Sequence, residues 1–377
     1  MSSPLEILIV GAGIAGVSLA SELAGRHHVT IVEAESAIGY HATGRSAAMY
    51  LAGYGNDVVR ALTRASKAFL DTPPAGFTDG PILTPRPLIT VAQSEAATGF
   101  DQPHYLGQEA LSASEAAAIV PILRSERLIG AMIDRAAAEV DTDRLHQGYA
   151  RAARQAGAML HLDTRIEAAR RHDGKWRITT SKGEISADIV INAAGAWADH
   201  IAVCFGAKPC GLIAARRTAL LAELPTDTIA AQSHDWPMVM TANEHLYFKP
   251  DAGLLLISPA DETPSEPCDA QPEELDIAIA IDRFETLCDM PVRRIRHRWA
   301  GLRTFAPDRT PIVGHDADSP GFFWFAGQGG YGLQMAPALA RLGAAIFEER
   351  DTQDDLAPGI IQALSPARFG TAASAVP

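Results

Sequence analysis

The first fifty residues constrain the fold most. An apolar run, Glu6-Ile7-Leu8-Ile9-Val10, leads straight into Gly11-Ala12-Gly13-Ile14-Ala15-Gly16, then a helix-like stretch, then His28-Val29-Thr30-Ile31-Val32-Glu33. Strand, glycine turn, helix and acid-ended strand make up a dinucleotide-binding βαβ unit. Gly11 permits the tight turn, Gly13 lets backbone approach a pyrophosphate, and Gly16 lets helix and strand pack closely. The helix, entered through Ala15, aims free N–H groups and its positive dipole end at the phosphates. Glu33, 22 residues after Gly11, is placed to accept hydrogen bonds from ribose hydroxyls. Glycine turns are common, so the two flanking strands give the reading its weight.

At 377 residues the chain exceeds one comfortable core, which predicts two domains. Turns suited to a nucleotide recur near residues 195 and 330, so the chain must leave the nucleotide domain and return twice. The expected partition is 1–80, 140–212 and 300–377 for cofactor, with 81–139 and 213–299 for substrate. Proline cannot donate to a sheet ladder, so Pro73–Pro87 reads as the first crossing rather than a central strand. Short strands are expected near Met159–Leu162, Trp176–Thr180 and Ile189–Asn192, with a strand-rich stretch after Trp197. A long helix is expected from about Gln334, and residues beyond Gly370 read as a frayed tail.

The net charge of −13 disfavours nucleic acid and anionic membrane surfaces. No run of about 18 apolar residues crosses a bilayer, and no cleavable leader is legible. The expectation is a cytoplasmic protein, with peripheral association at an inner membrane left open. Four cysteines without a CxxC pair read as free thiols, and twelve histidines without ligand spacing predict no metal. No GxSxG surrounds Ser46, so acyl transfer has no support.

The ten residues from Gly39 to Ala48 decide which dinucleotide binds. Gly39-Tyr40-His41-Ala42-Thr43-Gly44-Arg45-Ser46-Ala47-Ala48 is built of small residues, hydroxyls and one arginine, suited to wrapping a second nucleotide segment. A nicotinamide enzyme would continue into helix and strand instead. At this point the chain resembles the FAD-dependent D-amino-acid oxidase superfamily, and within it bacterial D-arginine dehydrogenases. The likeness runs through Tyr54-Gly55, Pro85-Arg86-Pro87, Asn192–Trp197, Lys249–Gly253, Trp299–Arg303 and Gln328–Gly332, in that order.

The resemblance implies an α/β protein with a discontinuous Rossmann-like FAD domain of the glutathione-reductase type and a mixed or antiparallel substrate sheet. Thr43, Gly44, Arg45, Ser46, Ala47 and Ala48 would wrap the FAD, and Ile166, Ala194, Gly195 and Trp197 would pack against it. Gly329, Gly330, Tyr331, Gly332, Leu333 and Gln334 would cover the flavin, and three glycines ahead of a long helix independently favour close approach to a ligand. On residues alone, Asn192–Trp197 is equally a plain strand–helix junction. Relatives that attach flavin covalently use a cysteine near the segment that here reads Arg303-Thr304-Phe305, so non-covalent FAD is expected.

An amino-acid substrate presents a carboxylate, which a planar guanidinium binds through two parallel bonds. By resemblance Arg217 and Arg303 form that clamp, with Arg303 also facing the cofactor. Tyr54 and Tyr247 line the pocket, and the backbone of Gly301 and Gly330 meets the amino group. Most single arginines are solvated and most tyrosines structural, so these roles rest on the resemblance. D-arginine dehydrogenases carry a glutamate after Pro-Arg-Pro, where this chain has Leu88, and a histidine after Ser-Ala-Ala, where it has Met49. Leucine cannot compensate a buried cation. The expected reaction is therefore oxidative deamination of a neutral D-amino acid to an imino acid, then a 2-oxo acid and ammonia. Glycine, sarcosine-like or other secondary amino acids are the alternative, and a non-catalytic flavoprotein subunit is the reading of another class. The electron acceptor, whether oxygen, a quinone or a respiratory chain, is left open. An acid from elsewhere, Glu244 for instance, could restore a cation site.

Overall fold

The computed structural model describes residues 3–93, 107–225, 233–351 and 359–369. Its first sheet has six strands in the order 312–315, 322–326, 189–192, 6–10, 28–32 and 159–161. Glu6–Val10 pairs in parallel with both His28–Val32 and Ile189–Asn192. A parallel strand covered on both faces needs a continuous apolar run, which Ile7–Val10 supplies. Ile7 and Ile9 enter the core under the helices Ile14–Leu23 and Gly332–Phe347, while Leu8 and Val10 enter an opposite core with Trp176, Ile178 and Phe205. That second core lies under a three-stranded antiparallel sheet of residues 166–187. Trp176–Thr180 is thus a strand, but of this covering layer.

A ten-stranded sheet lies alongside. Its central strands are Ile213–Ala222, paired antiparallel with Ile295–Phe305, then Leu254–Ser258, Tyr247–Asp251, Met238–Thr241 and Leu88–Ala92. One face packs Ile89, Val239, Phe248 and Ile257 against Phe284 and Leu287 of the helix Glu274–Leu287. The other carries Leu88, Met238, Met240, Tyr247 and Leu256. Leu83–Pro85 is an edge strand of a small three-stranded sheet, the position that tolerates proline. The expected long helix begins at Gly332, two residues before its expected start. The expected tail beyond Gly370 lies outside the described residues.

Local signals explain the helix ends. Ser112 and Glu115 form a reciprocal capping box on Ala113–Ile119. Asp141 caps Thr142–Gln155 by accepting the Arg144 N–H at 2.9 Å. No helix among the described residues is long and apolar enough to cross a membrane.

The tightest junction is Gly16 on Gly11. A methyl at Gly16 would overlap the Gly11 carbonyl oxygen, which is backbone and cannot rotate aside. Gly16→Ala should lower stability by about 1–3 kcal/mol, the usual range for overpacking, read as an earlier urea midpoint. An unchanged midpoint would show that helix and strand can separate at no penalty.

Candidate cofactor and substrate site

The two sheets meet at a cavity of about 490 Å3, lined at one end by Glu33, Glu35 and His41 and at the other by Arg217, Tyr247 and Arg303. Its cradle is the first glycine turn. Gly11 has φ +104°, and a methyl there would lie 2.6 Å from the Ala193 carbonyl oxygen. A methyl on Gly13 would sit 3.3 Å from Thr43 Oγ1, the hydroxyl that accepts the Ile14 N–H at 3.0 Å. The helix Ile14–Leu23 has no side-chain N-cap. With the Ile14 N–H held by Thr43 Oγ1, the next donor, at Ala15 on the cavity wall, is left for a ligand, which fits the pyrophosphate of FAD. Glu33 is already oriented, accepting the Ala12 N–H at 2.8 Å and the Glu35 N–H at 3.0 Å.

Ala15, Thr43, Arg45, Ser46, Ala47 and Ile166 line the same cavity, as do Ala194, Gly195 and Trp197. So do Gly329, Gly330, Gly332 and Leu333 from the last turn. Arg45 is held by protein: its Nη1 donates to the carbonyls of Ala270 at 3.0 Å and Ala300 at 2.9 Å. The guanidinium thus ties the wrapping segment to the ten-stranded sheet.

Five expected cofactor residues lie off the cavity wall. Gly16 serves helix packing. Gly44 closes a turn through its N–H to Gly39 O at 2.8 Å, and with Ala48 it faces a neighbouring cavity. Ala48 sits at φ +53°. Tyr331 stands at the N-cap of the helix Gly332–Phe347 and packs edge-on against Tyr54, with ring centroids 5.3 Å apart. Gln334 is buried, accepting the Leu51 N–H and donating to Thr63 Oγ1, both at 3.0 Å.

Strand register builds the substrate end. Arg217 faces Gly301 across the antiparallel pair, and Arg303 faces Ala215. Positions two apart share a face, so both arginines project to one side and Gly301 leaves the space between them open. On the same face Met240 pairs with Tyr247 and Met238 with Leu88. Leu51, Leu88, Met238, Met240 and Tyr247 form one apolar cluster, with Met49 and Tyr54 packed against it.

The Arg303 side chain makes no hydrogen bond or ion pair among the described residues. Burial opposes its charge, but Tyr247, Tyr54, Tyr331 and Glu262 around it hold its pKa above the ordinary value. A methyl on Gly330 would lie 2.8 Å from its Cζ, so that glycine makes room for the guanidinium. Burial, opposed by Arg303 and reinforced by Glu244, pushes the Tyr54 phenol well up; it stays protonated and donates to Glu244 Oε2 at 3.1 Å. Arg217 is already partnered, donating to Asp261 O at 2.7 Å and Glu262 Oε1 at 3.0 Å.

Sequence reasoning misses Met238, Met240, Glu262 and Arg309, and also the Glu35–His41 pair at 2.9 Å beside Trp197. The alternation Met238-Val239-Met240 in a strand is a signal that could expose the first two. The ion pairs of Glu262 join segments 45 or more residues apart and leave no local signal.

A family model described as FAD dependent oxidoreductase, DAO, matches residues 6–346. Glycine oxidase of Geobacillus kaustophilus is 25% identical over 378 residues, covering 95% of this chain and 97% of the relative. The crystal structure of glycine oxidase from Geobacillus kaustophilus superposes with a TM-score of 0.80 at 25% identity, covering 95% of this chain and 98% of that one. L-proline dehydrogenase from P. horikoshii gives the same TM-score at 21% identity over 98% of both chains, a likeness of fold. With the family model spanning most of the chain and the glycine cradle shaped for a dinucleotide, the protein belongs to the FAD-dependent oxidoreductase family named DAO.

Proposed function

We propose that this flavoenzyme oxidatively deaminates a neutral, apolar D-amino acid. The observation that carries the reading is Arg303, a largely buried cation that opens on the cavity and has no protein counter-ion among the described residues. A carboxylate is the complementary ligand, and the guanidinium fork binds it through two parallel bonds. Arg217, on the same sheet face, offers a second positive charge. Leu88, Met238 and Met240 favour an apolar side chain beside that clamp. A substrate guanidinium or ammonium placed there would lack a buried partner. The D configuration rests on the resemblance carried by the pocket residues.

FAD supplies the two-electron acceptor for the substrate C–H bond. The protein's part is orientation: Arg303 and Arg217 fix the carboxylate, and the Gly301 and Gly330 backbone meets the amine. No carboxylate or imidazole among the described residues lines the arginine end of the cavity, and a substrate amine bound as the free base needs none. The imino acid then hydrolyses to a 2-oxo acid and ammonia. The segments 1–80, 140–212 and 300–377 would hold cofactor and the remainder would frame substrate. Likeness to glycine oxidases favours a second reading, oxidation of glycine itself.

Anaerobic flavin bleaching across D-leucine, D-methionine, D-arginine, glycine and sarcosine separates these readings. D-leucine or D-methionine should exceed D-arginine in kcat/KM by about tenfold or more, the size of one well-placed contact. Glycine as the best substrate would establish the second reading, and D-arginine as the best would sink the first and put Glu244 in the pocket.

Arg303→Met should retain flavin yet lose about 2–5 kcal/mol of transition-state binding, roughly 30-fold or more in kcat/KM. Near-normal efficiency would remove Arg303 from the clamp. Trichloroacetic acid should release all the flavin into the supernatant. Colour in the pellet would point to a covalent bond at Cys204 or Cys268, the thiols that line the cavity.

A further inference from the structure

We propose that Glu262, braced by Arg309, is the positioning residue that holds Arg217 at the substrate carboxylate. The inference rests on the amino-acid reading above and adds to it an acid that no motif marks. Arg217 meets two acceptors from one turn, the Asp261 carbonyl and the Glu262 carboxylate, so both its Nε and Nη2 are fixed. A guanidinium on a flexible stem otherwise loses rotamer freedom each time a ligand binds. Held beforehand, Arg217 presents its remaining edge to the cavity, whose wall includes it.

The turn that delivers Glu262 is over-determined. Ser258 Oγ donates to the Thr218 carbonyl at 2.6 Å and accepts the Ala260 N–H at 3.1 Å. Asp261 takes the Thr218 N–H at 2.7 Å and the Thr218 hydroxyl at 3.0 Å. Between them Ala260 stands at φ +52°, a left-handed conformation that a residue with a Cβ rarely adopts without such clamping. The turn is therefore pinned to the residue next to Arg217 in the same strand.

From the other side Arg309 grips Glu262 with a two-bond fork, Nη1 to Oε2 and Nη2 to Oε1, both at 3.0 Å. Arg309 is itself left-handed, at φ +59°, and its Cζ lies 3.9 Å over the Phe305 ring. That ring fills the space where a methyl on Gly329 would go. The bracket thus spans from the substrate sheet to the glycine turn on the cofactor cavity. Burial alone would raise the Glu262 pKa, but Arg309, with Arg217 and Arg303, holds it below the ordinary carboxylate value, so the acid stays charged at neutral pH.

The test is carboxylate binding on flavin-loaded protein, with benzoate as probe and flavin absorbance as signal, alongside kcat and KM for the best amino acid. Glu262→Ala should raise the benzoate Kd and the substrate KM about tenfold, with kcat within about twofold and flavin content unchanged. Glu262→Gln keeps an oxygen for Arg217 and should recover most of the loss. Arg309→Gln should move KM the same way by a few-fold. A purely structural role would reduce stability or flavin content without separating KM from kcat. Wild-type Kd and KM in Glu262→Ala overturn the proposal. If that variant does not fold, wild-type KM in both Glu262→Gln and Arg309→Gln overturns it equally. Benzoate affinity unchanged in Arg303→Met would instead refute the carboxylate clamp and leave the inference without its premise.

Discussion

The antiparallel pairing of Ile213–Ala222 with Ile295–Phe305 is the constraint on which the candidate site depends. Its register sets Arg217 opposite Gly301 and Arg303 opposite Ala215. Because side chains alternate every residue, a slip of one position in either strand would turn that strand's arginine toward the face packed on the helix Glu274–Leu287. In Ile213–Ala222 it would also turn Leu220 toward the cavity. Burying a guanidinium among Phe248, Phe284 and Leu287 costs several kcal/mol where it is uncompensated, which disfavours the slipped register. The hydrophobic core on one face of the sheet thereby fixes the electrostatics on the other.

Charge is compensated unequally around the two arginines that line the cavity. Arg217 has acid and carbonyl partners, and its surroundings account for its position. Arg303 has phenol rings and an open cavity. A buried polar group left unsatisfied by its own chain is the usual mark of a binding function, since folding alone would favour pairing it. The phenols suit that task. They tolerate an apolar surround and border the cation without competing for it as a carboxylate would.

The nucleotide half of the molecule was legible because its signals are local. Gly11, Gly13 and Gly16 fall at fixed offsets in one short segment, although Ala193 and Thr43 are what crowd the first two, and the capping residues Ser112 and Asp141 act within a few positions of themselves. The strands Ile189–Asn192 and Phe322–Ala326 carry uninterrupted apolar runs, which parallel burial requires. The other half was legible only where resemblance supplied residues. The Glu262–Arg309 fork joins residues 47 apart, and the Tyr54–Glu244 bond spans 190. Neither has a periodicity to reveal it. Gln334 illustrates the converse: a polar residue beside a glycine turn invites a ligand role, yet both ends of its amide hold the chain together at Leu51 and Thr63.

Arg45 links the two halves. It belongs to the segment 39–48 on the cavity wall, yet its guanidinium holds the carbonyls of Ala270 and Ala300, and the Trp299 indole N–H donates back to the Arg45 carbonyl at 3.0 Å. A methyl on Gly301 would sit 3.2 Å from Arg45 Cβ. The residue facing Arg217 across the strands is therefore also the one against which the wrapping segment rests. Residues 39–48 and the strand bearing Arg303 are thus joined by shared hydrogen bonds and by a contact too tight for a side chain. Glycine at 301 serves both: it leaves space between the arginines on the cavity side and lets the wrapping segment approach.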